Sequence, residues 1–129
     1  RLSIDPQLPP DDQEAFARCA VSKAYYACYH HALTWAKVRG YTKGPNKGHH
    51  IDLWSRWFAI ETETADIRSA GEALQAKRVQ ADYMITVAFR PKAVDVIEEA
   101  EELLDLLDAD IERVKNLPAH QHKLVQRRR

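Results

Sequence analysis

Polar and apolar positions along this chain recur at the three- and four-residue steps of α-helices, in stretches separated by proline- and glycine-bearing breaks. The clearest stretch is the last. Ala93, Ile97, Ala100, Leu104, Leu107, Ile111 and Val114 trace one seam, widened by Leu103 and Leu106, of the kind that runs along an antiparallel bundle. Pro91 suits its first turn, where a missing amide goes unused, and Pro118 closes it. The first stretch follows Asp11 and Asp12, which offer helix N-caps, and extends to about Val38. Gly40, Gly44, Pro45, Asn46 and Gly48 then form a loop that no helix would tolerate. Within the first helix Ala20, Ala24 and Ala27 mark a face for close helix approach, while Tyr25, Tyr26 and Tyr29 sweep round the remainder. A buried tyrosine needs a hydroxyl partner, so this helix is predicted to be central and packed on more than one side.

A second helix is predicted to start between Lys47 and His50 and to lay Ile51, Leu53, Trp54, Trp57 and Phe58 over the core as a lid. Thr62 and Thr64 are N-cap candidates for a third, whose stripe reads Ile67, Ala70, Leu74, Ala81 and Ile85. Residues 83–89 resemble a strand in composition, but the chain offers no second strand to pair with them. The expected fold class is therefore all-α, an up-and-down antiparallel bundle of four main helices with room for an extra short one. Residues 1–10, with Pro6, Pro9 and Pro10, read as an extended arm. Residues 11–117 read as one helical domain, and 118–129, ending in Arg127, Arg128 and Arg129, as a basic, frayed tail.

Composition agrees with a single core: 129 residues, 45% of them hydrophobic. Lys plus Arg and Asp plus Glu both number 19, so the whole chain carries no field that points to nucleic acid or to a membrane. The balance is local. Acidic residues crowd Glu98 to Glu112, and the C-terminus is basic. Cys19 and Cys28 lie on one predicted helix roughly 13 Å apart, too far for a disulfide with each other. Two unpaired thiols and no signal-like N-terminus suggest a reducing, cytoplasmic setting, and no apolar run reaches transmembrane length.

Six histidines raise the question of a metal. Adjacent pairs such as His30–His31 and His49–His50 diverge on a helix, and no Cys-x-x-Cys or His-Glu-x-x-His spacing is present. A site from His31, His49 and Asp52 is the alternative, and the reading is of no metal and no cofactor. Ser22 lacks an oxyanion-loop signature, Cys28 sits on an apolar face, and the Gly44–Gly48 turn lacks the ending of a P-loop. Arg78 is more unusual. It stands beside the third stripe between Leu74 and Ala81, so its guanidinium starts partly buried and requires a partner. Asp82, one turn on, supplies a structural answer, and a bound phosphate supplies a functional one.

Ser22 to His30, Ser-Lys-Ala-Tyr-Tyr-Ala-Cys-Tyr-His, resembles the Ser-Arg-Ala-Tyr-Tyr-Ala-x-Phe-His signature of the HEPN superfamily, the higher eukaryote and prokaryote nucleotide-binding domains. Lys47 and His49 are similar to the Lys-x-His loop of one small prokaryotic branch, and Arg78-x-x-Ala81-Asp82-Tyr83 to its Arg-x-x-Ala-Asp-Tyr motif. The resemblance spans about residues 12–112. It implies a helical bundle, usually homodimeric, associated with RNA or nucleotides in toxin–antitoxin, phage-defence or CRISPR-linked systems. Many members are metal-independent endoribonucleases. Carried over residue by residue, it implies phosphate binding by Lys47 and Arg78 and a cleft wall that includes Tyr26 and His30. Arg78 would stabilise charge on the phosphate. The proton-handling histidine of the family is replaced here by Tyr83, a phenol whose reference pKa of about 10 makes a poor base. His49, or His30, would have to serve instead. The alternative is a non-catalytic dimeric module that partners a nucleotidyltransferase, with Tyr83 as the residue modified.

Overall fold

The computed structural model describes residues 10–45 and 48–124, and all regular structure among them is helical. Helix α1 runs Pro10–Val38, α2 is the short His49–Ile51, α3 spans Ala65–Tyr83 and α4 Ala93–Lys115. Predicted residues that fall outside the description are the arm up to Pro9, Asn46 and Lys47, and the end of the basic tail from Val125. The all-α fold class is what the sequence led us to expect, four helices packed on one another through long-range contacts.

Chain directions follow from which ends meet. Ala17 and Ala20 near the start of α1 pack on Ala93 at the start of α4. The Cys28 thiol donates to the Ala100 carbonyl, and Trp35 Nε1 donates to Asp110 Oδ2 at 2.8 Å, so α1 and α4 run side by side in one direction. Helix α3 opposes both: Arg18 of α1 bonds the carbonyls of Gln80 and Ala81, and Lys77 pairs with Glu99 of α4. The full-length traverses thus alternate α1, α3, α4, because the second helical stretch is too short to make one. It begins beside the middle of α1, where His50 meets Tyr25 and Tyr29, and leaves near the end of α1, where Trp57 meets Tyr41. Its path changes pitch, from α2 into a π-helical turn at Asp52–Arg56 and a 3-10 turn at Trp57–Ala59. The buried Asp52 opens this wide turn. Arg56 Nε at 2.7 Å and the Tyr41 hydroxyl at 2.6 Å both donate to its carboxylate. Burial alone would raise the Asp52 pKa, but these bonds and a backbone bond from Gly44 outweigh it and hold it at about 2.

Several predicted details are corrected. The α4 seam is Ala93, Val96, Ala100, Leu103, Leu107, Asp110 and Val114, with Ile97, Leu104 and Ile111 on its half-buried flank. The sequence allows two seams that share Ala93, Ala100, Leu107 and Val114. The one containing Asp110 prevails because Trp35 and Arg113 both donate to its carboxylate. Pro91 lies outside α4, before the N-cap Lys92, and Asp11 and Asp12 stand in the first turn of α1 rather than capping it. The close-packed small residues of α1 are Ala17, Ala20, Ala32 and Ala36, whereas Ala27 is exposed. Ile85 does not extend the α3 stripe: the helix stops at Tyr83, and residues 84–92 form turns and irregular backbone with Met84, Ile85 and Val87 exposed.

The residues after Pro118, read as frayed, fold back on the end of α1. A 3-10 turn spans Ala119–Gln121, and Leu124 N donates to the Arg39 carbonyl at 2.9 Å. Cys19 and Cys28 are both free thiols; burial pushes the Cys28 pKa up to about 12, which makes it unreactive. No helix among the described residues is long and apolar enough to cross a membrane.

Candidate functional site

Three elements converge on Arg78. Tyr25, Tyr26, Tyr29 and His30 come from the middle of α1, His50 from α2, and Arg78, Asp82 and Tyr83 from the last two turns of α3. Arg78 occupies a core position between Leu74 and Ala81 and is 4% exposed. Its guanidinium carbon lies 5.3 Å from the Tyr25 ring centre, 5.4 Å from Tyr26 and 5.5 Å from Tyr83, so aromatic rings take the place of most of its water. Nη1 donates to the Tyr83 hydroxyl at 3.3 Å and stands 3.6 Å from Asp82 Oδ2, beyond hydrogen-bond length. Nε has no hydrogen-bond partner among the described residues.

The wall behind Arg78 is fixed by a hydrogen-bond chain. Trp54 Nε1 donates to the Tyr25 hydroxyl at 2.9 Å, and that hydroxyl meets His50 Nδ1 at 2.6 Å. An indole only donates, so the Tyr25 oxygen accepts from Trp54 and keeps its own proton for another partner; with that proton on Nδ1, a neutral His50 carries its hydrogen on Nε2. The chain depends on Gly71. A Cβ there would stand 2.1 Å from Trp54 Cε3, so only glycine lets the indole lie against α3.

Burial, aided by the charge of Arg78 and the nearness of His49 and His30, holds the His50 pKa below its ordinary value. Burial likewise pushes the Tyr25 pKa up, only partly offset by the Trp54 bond and Arg78. Both groups are therefore neutral at pH 7, and Arg78 supplies the charge that the rings enclose. The partly exposed Asp82, which accepts from Ser22 Oγ at 3.3 Å, offsets some of it. Chemically the arrangement gathers one cation and several flat rings, the groups that suit an anion and a stacked base. On His50, Nδ1 is engaged by Tyr25, which leaves Nε2 as the ring nitrogen for any further partner.

Of the residues singled out in the sequence, Arg78, Tyr83, Tyr26 and His30 come together, His30 6.0 Å from Tyr26 between ring centres. Lys47 lies outside the described residues. The imidazole among the rings is His50 rather than His49, which is exposed. His50 precedes Trp54 by one helical turn, and both reach the same Tyr25 hydroxyl; that i, i+4 relation was the available signal. The alternative metal trio is dispersed. His31 pairs with Asp108 at 2.9 Å and Asp52 with Arg56, and among the described residues no His, Cys, Asp and Glu cluster is suited to a metal. Two surface clefts flank Phe89, one lined by Arg18, Met84 and Val87 and the other by Phe16 and Val94, and Arg78 lines neither. Comparison with protein-family models, with curated proteins and with solved structures gave no match.

Proposed function

We propose that this chain is a HEPN-like protein that holds RNA or a nucleotide through a phosphate at Arg78, acting as a homodimer in a toxin–antitoxin, phage-defence or CRISPR-linked system. One observation carries the reading: among the described residues a buried guanidinium, enclosed by three aromatic rings, keeps an unpartnered Nε and approaches the Asp82 carboxylate only to 3.6 Å. Most buried polar atoms are hydrogen-bonded, so one left without a partner calls for an explanation, and a ligand supplies it. A phosphate offers several acceptor oxygens in a planar arrangement suited to arginine, and the neighbouring rings suit stacked bases. The reading is of binding rather than autonomous cleavage, since Tyr83, a poor base, stands where the family has its proton-handling histidine, and His50 Nδ1 is engaged by Tyr25. Fluorescence anisotropy with a labelled oligouridylate tests it. Wild-type protein should bind and Arg78→Met should not; if neither binding nor cleavage is seen and the variant changes nothing, the reading fails.

A second reading, a module that partners a nucleotidyltransferase, draws on the 70% exposure of Tyr83 beside the exposed Met84, Ile85 and Val87. In it the Tyr83 oxygen attacks the α-phosphate of a nucleoside triphosphate, pyrophosphate leaves and the phenolic proton passes to solvent. Mass spectrometry after co-expression with such an enzyme would show the added nucleotide on Tyr83, and an unmodified chain that forms no complex removes this version.

A further inference from the structure

We propose that Tyr83 is a displaceable plug over Arg78, and that a phosphate ligand reaches the guanidinium only when this ring swings aside. The inference rests on the phosphate reading above but concerns how the site opens. The three rings around Arg78 are not equivalent. Tyr25 is fully buried and Tyr26 half-buried, so they form the inner wall, whereas Tyr83 is 70% exposed and lies on the solvent side. With Tyr83 lying against it, Arg78 is 4% exposed, although it belongs to the last two turns of its helix.

What holds the plug is weak. Its hydroxyl accepts one long bond from Nη1, 3.3 Å, and its ring adds a cation–π contact with most of its surface in water. Nothing in the core depends on that ring. Tyr83 is the final residue of α3, and the irregular segment that follows is tied down by Arg18 and Glu14 through backbone groups, independently of the phenol. An exposed aromatic ring at a helix end changes rotamer rapidly, so opening needs no movement of the helices. A phosphate gains more from Arg78 than the phenol does, because its additional oxygens can also pair with Nε. The plug therefore lowers apparent affinity by the fraction of time it is closed.

Two measurements on the full chain test this. Phenylglyoxal, which modifies accessible arginines, is applied to wild type, Tyr83→Ala and Tyr83→Phe, and the modification of Arg78 is followed by peptide mass spectrometry against the exposed Arg90. In wild type and Tyr83→Phe, Arg78 should stay protected relative to Arg90, and in Tyr83→Ala it should react several-fold faster. The same proteins are titrated with labelled oligouridylate. Tyr83→Ala should bind about fivefold more tightly than wild type, with Tyr83→Phe between them. Unchanged Arg78 reactivity in Tyr83→Ala, or weaker binding by that variant, overturns the plug and makes Tyr83 part of the ligand's own site. Loss of binding in Arg78→Met alone bears on the phosphate reading, while the labelling result judges the plug whether or not RNA binds.

Discussion

Two arginines are buried among the described residues, and their surroundings differ. Arg39, 2% exposed at the end of α1, donates from Nη1 to Glu61 at 2.6 Å, from Nε to the His122 carbonyl and from Nη2 to the Gln121 carbonyl, and it lies over the Trp35 ring. Glu61 is shared with Arg113, which also bonds Asp110, and Asp110 accepts from Trp35. Charge and hydrogen bonds close on themselves there, tying α1, α4 and the 119–124 segment together. At Arg78 the cation is enclosed mainly by rings, with one nitrogen unpartnered among the described residues and its carboxylate at 3.6 Å. Burial is common to both arginines; the completeness of their bonding is what differs.

The contrast is tested most severely at Arg39. Arg39→Met leaves Glu61 with Arg113 alone and frees two carbonyls, so stability should fall by about 3 kcal/mol and the thermal midpoint by roughly 10 °C. Oligouridylate affinity should be unchanged; a loss below about 1 kcal/mol would remove the distinction. Next comes the wall behind Arg78. Gly71→Ala forces the Trp54 indole away from α3 and should cost about 2 kcal/mol in urea denaturation, breaking the bonds to Tyr25 and His50 as well. Arg78→Met should stay within about 1 kcal/mol of wild type, since an apolar chain suits a ring-lined site, and yet bind no RNA. A large destabilisation there would assign Arg78 to structure like Arg39. The smallest effect is in pH. His50 is held below its ordinary pKa of 6.5 in the folded chain, so the unfolded chain takes up the proton first. Its contribution is full above pH 6.5 and declines as pH falls toward the lowered value. His50→Gln should flatten that slope in denaturation curves recorded across mildly acidic pH.

The sequence was most informative where the decisive contacts are local. The four helical stretches, the burial of Arg78 between Leu74 and Ala81, and the need of Tyr25 for a hydroxyl partner all follow from spacing within one helix. It was least informative where a polar residue sits in the core or a partner is distant. Asp110 has the chemistry of a surface residue, so the α4 seam was assigned to the neighbouring face; its burial depends on Trp35, 75 positions away. His49 and His50 are adjacent and chemically identical, and only the placement of Tyr25 on another helix separates them. Gly71 carries no side chain to announce that an indole rests on it.

The end of α3 is the furthest case of this dependence on distance. Arg18 donates to the carbonyls of Gln80, Ala81, Met84 and Val87, and Glu14 accepts from Phe89 N, so the last helical turn is capped by side chains more than sixty positions earlier. In kinetic terms, that turn should form late. An isolated α3 would fray from Arg78 onward, and the turn bearing Arg78, Asp82 and Tyr83 becomes lasting only after α1 has docked. Amide exchange at Asp82 and Tyr83 should then report the closing step of folding, while residues 67–74 of the same helix are protected earlier.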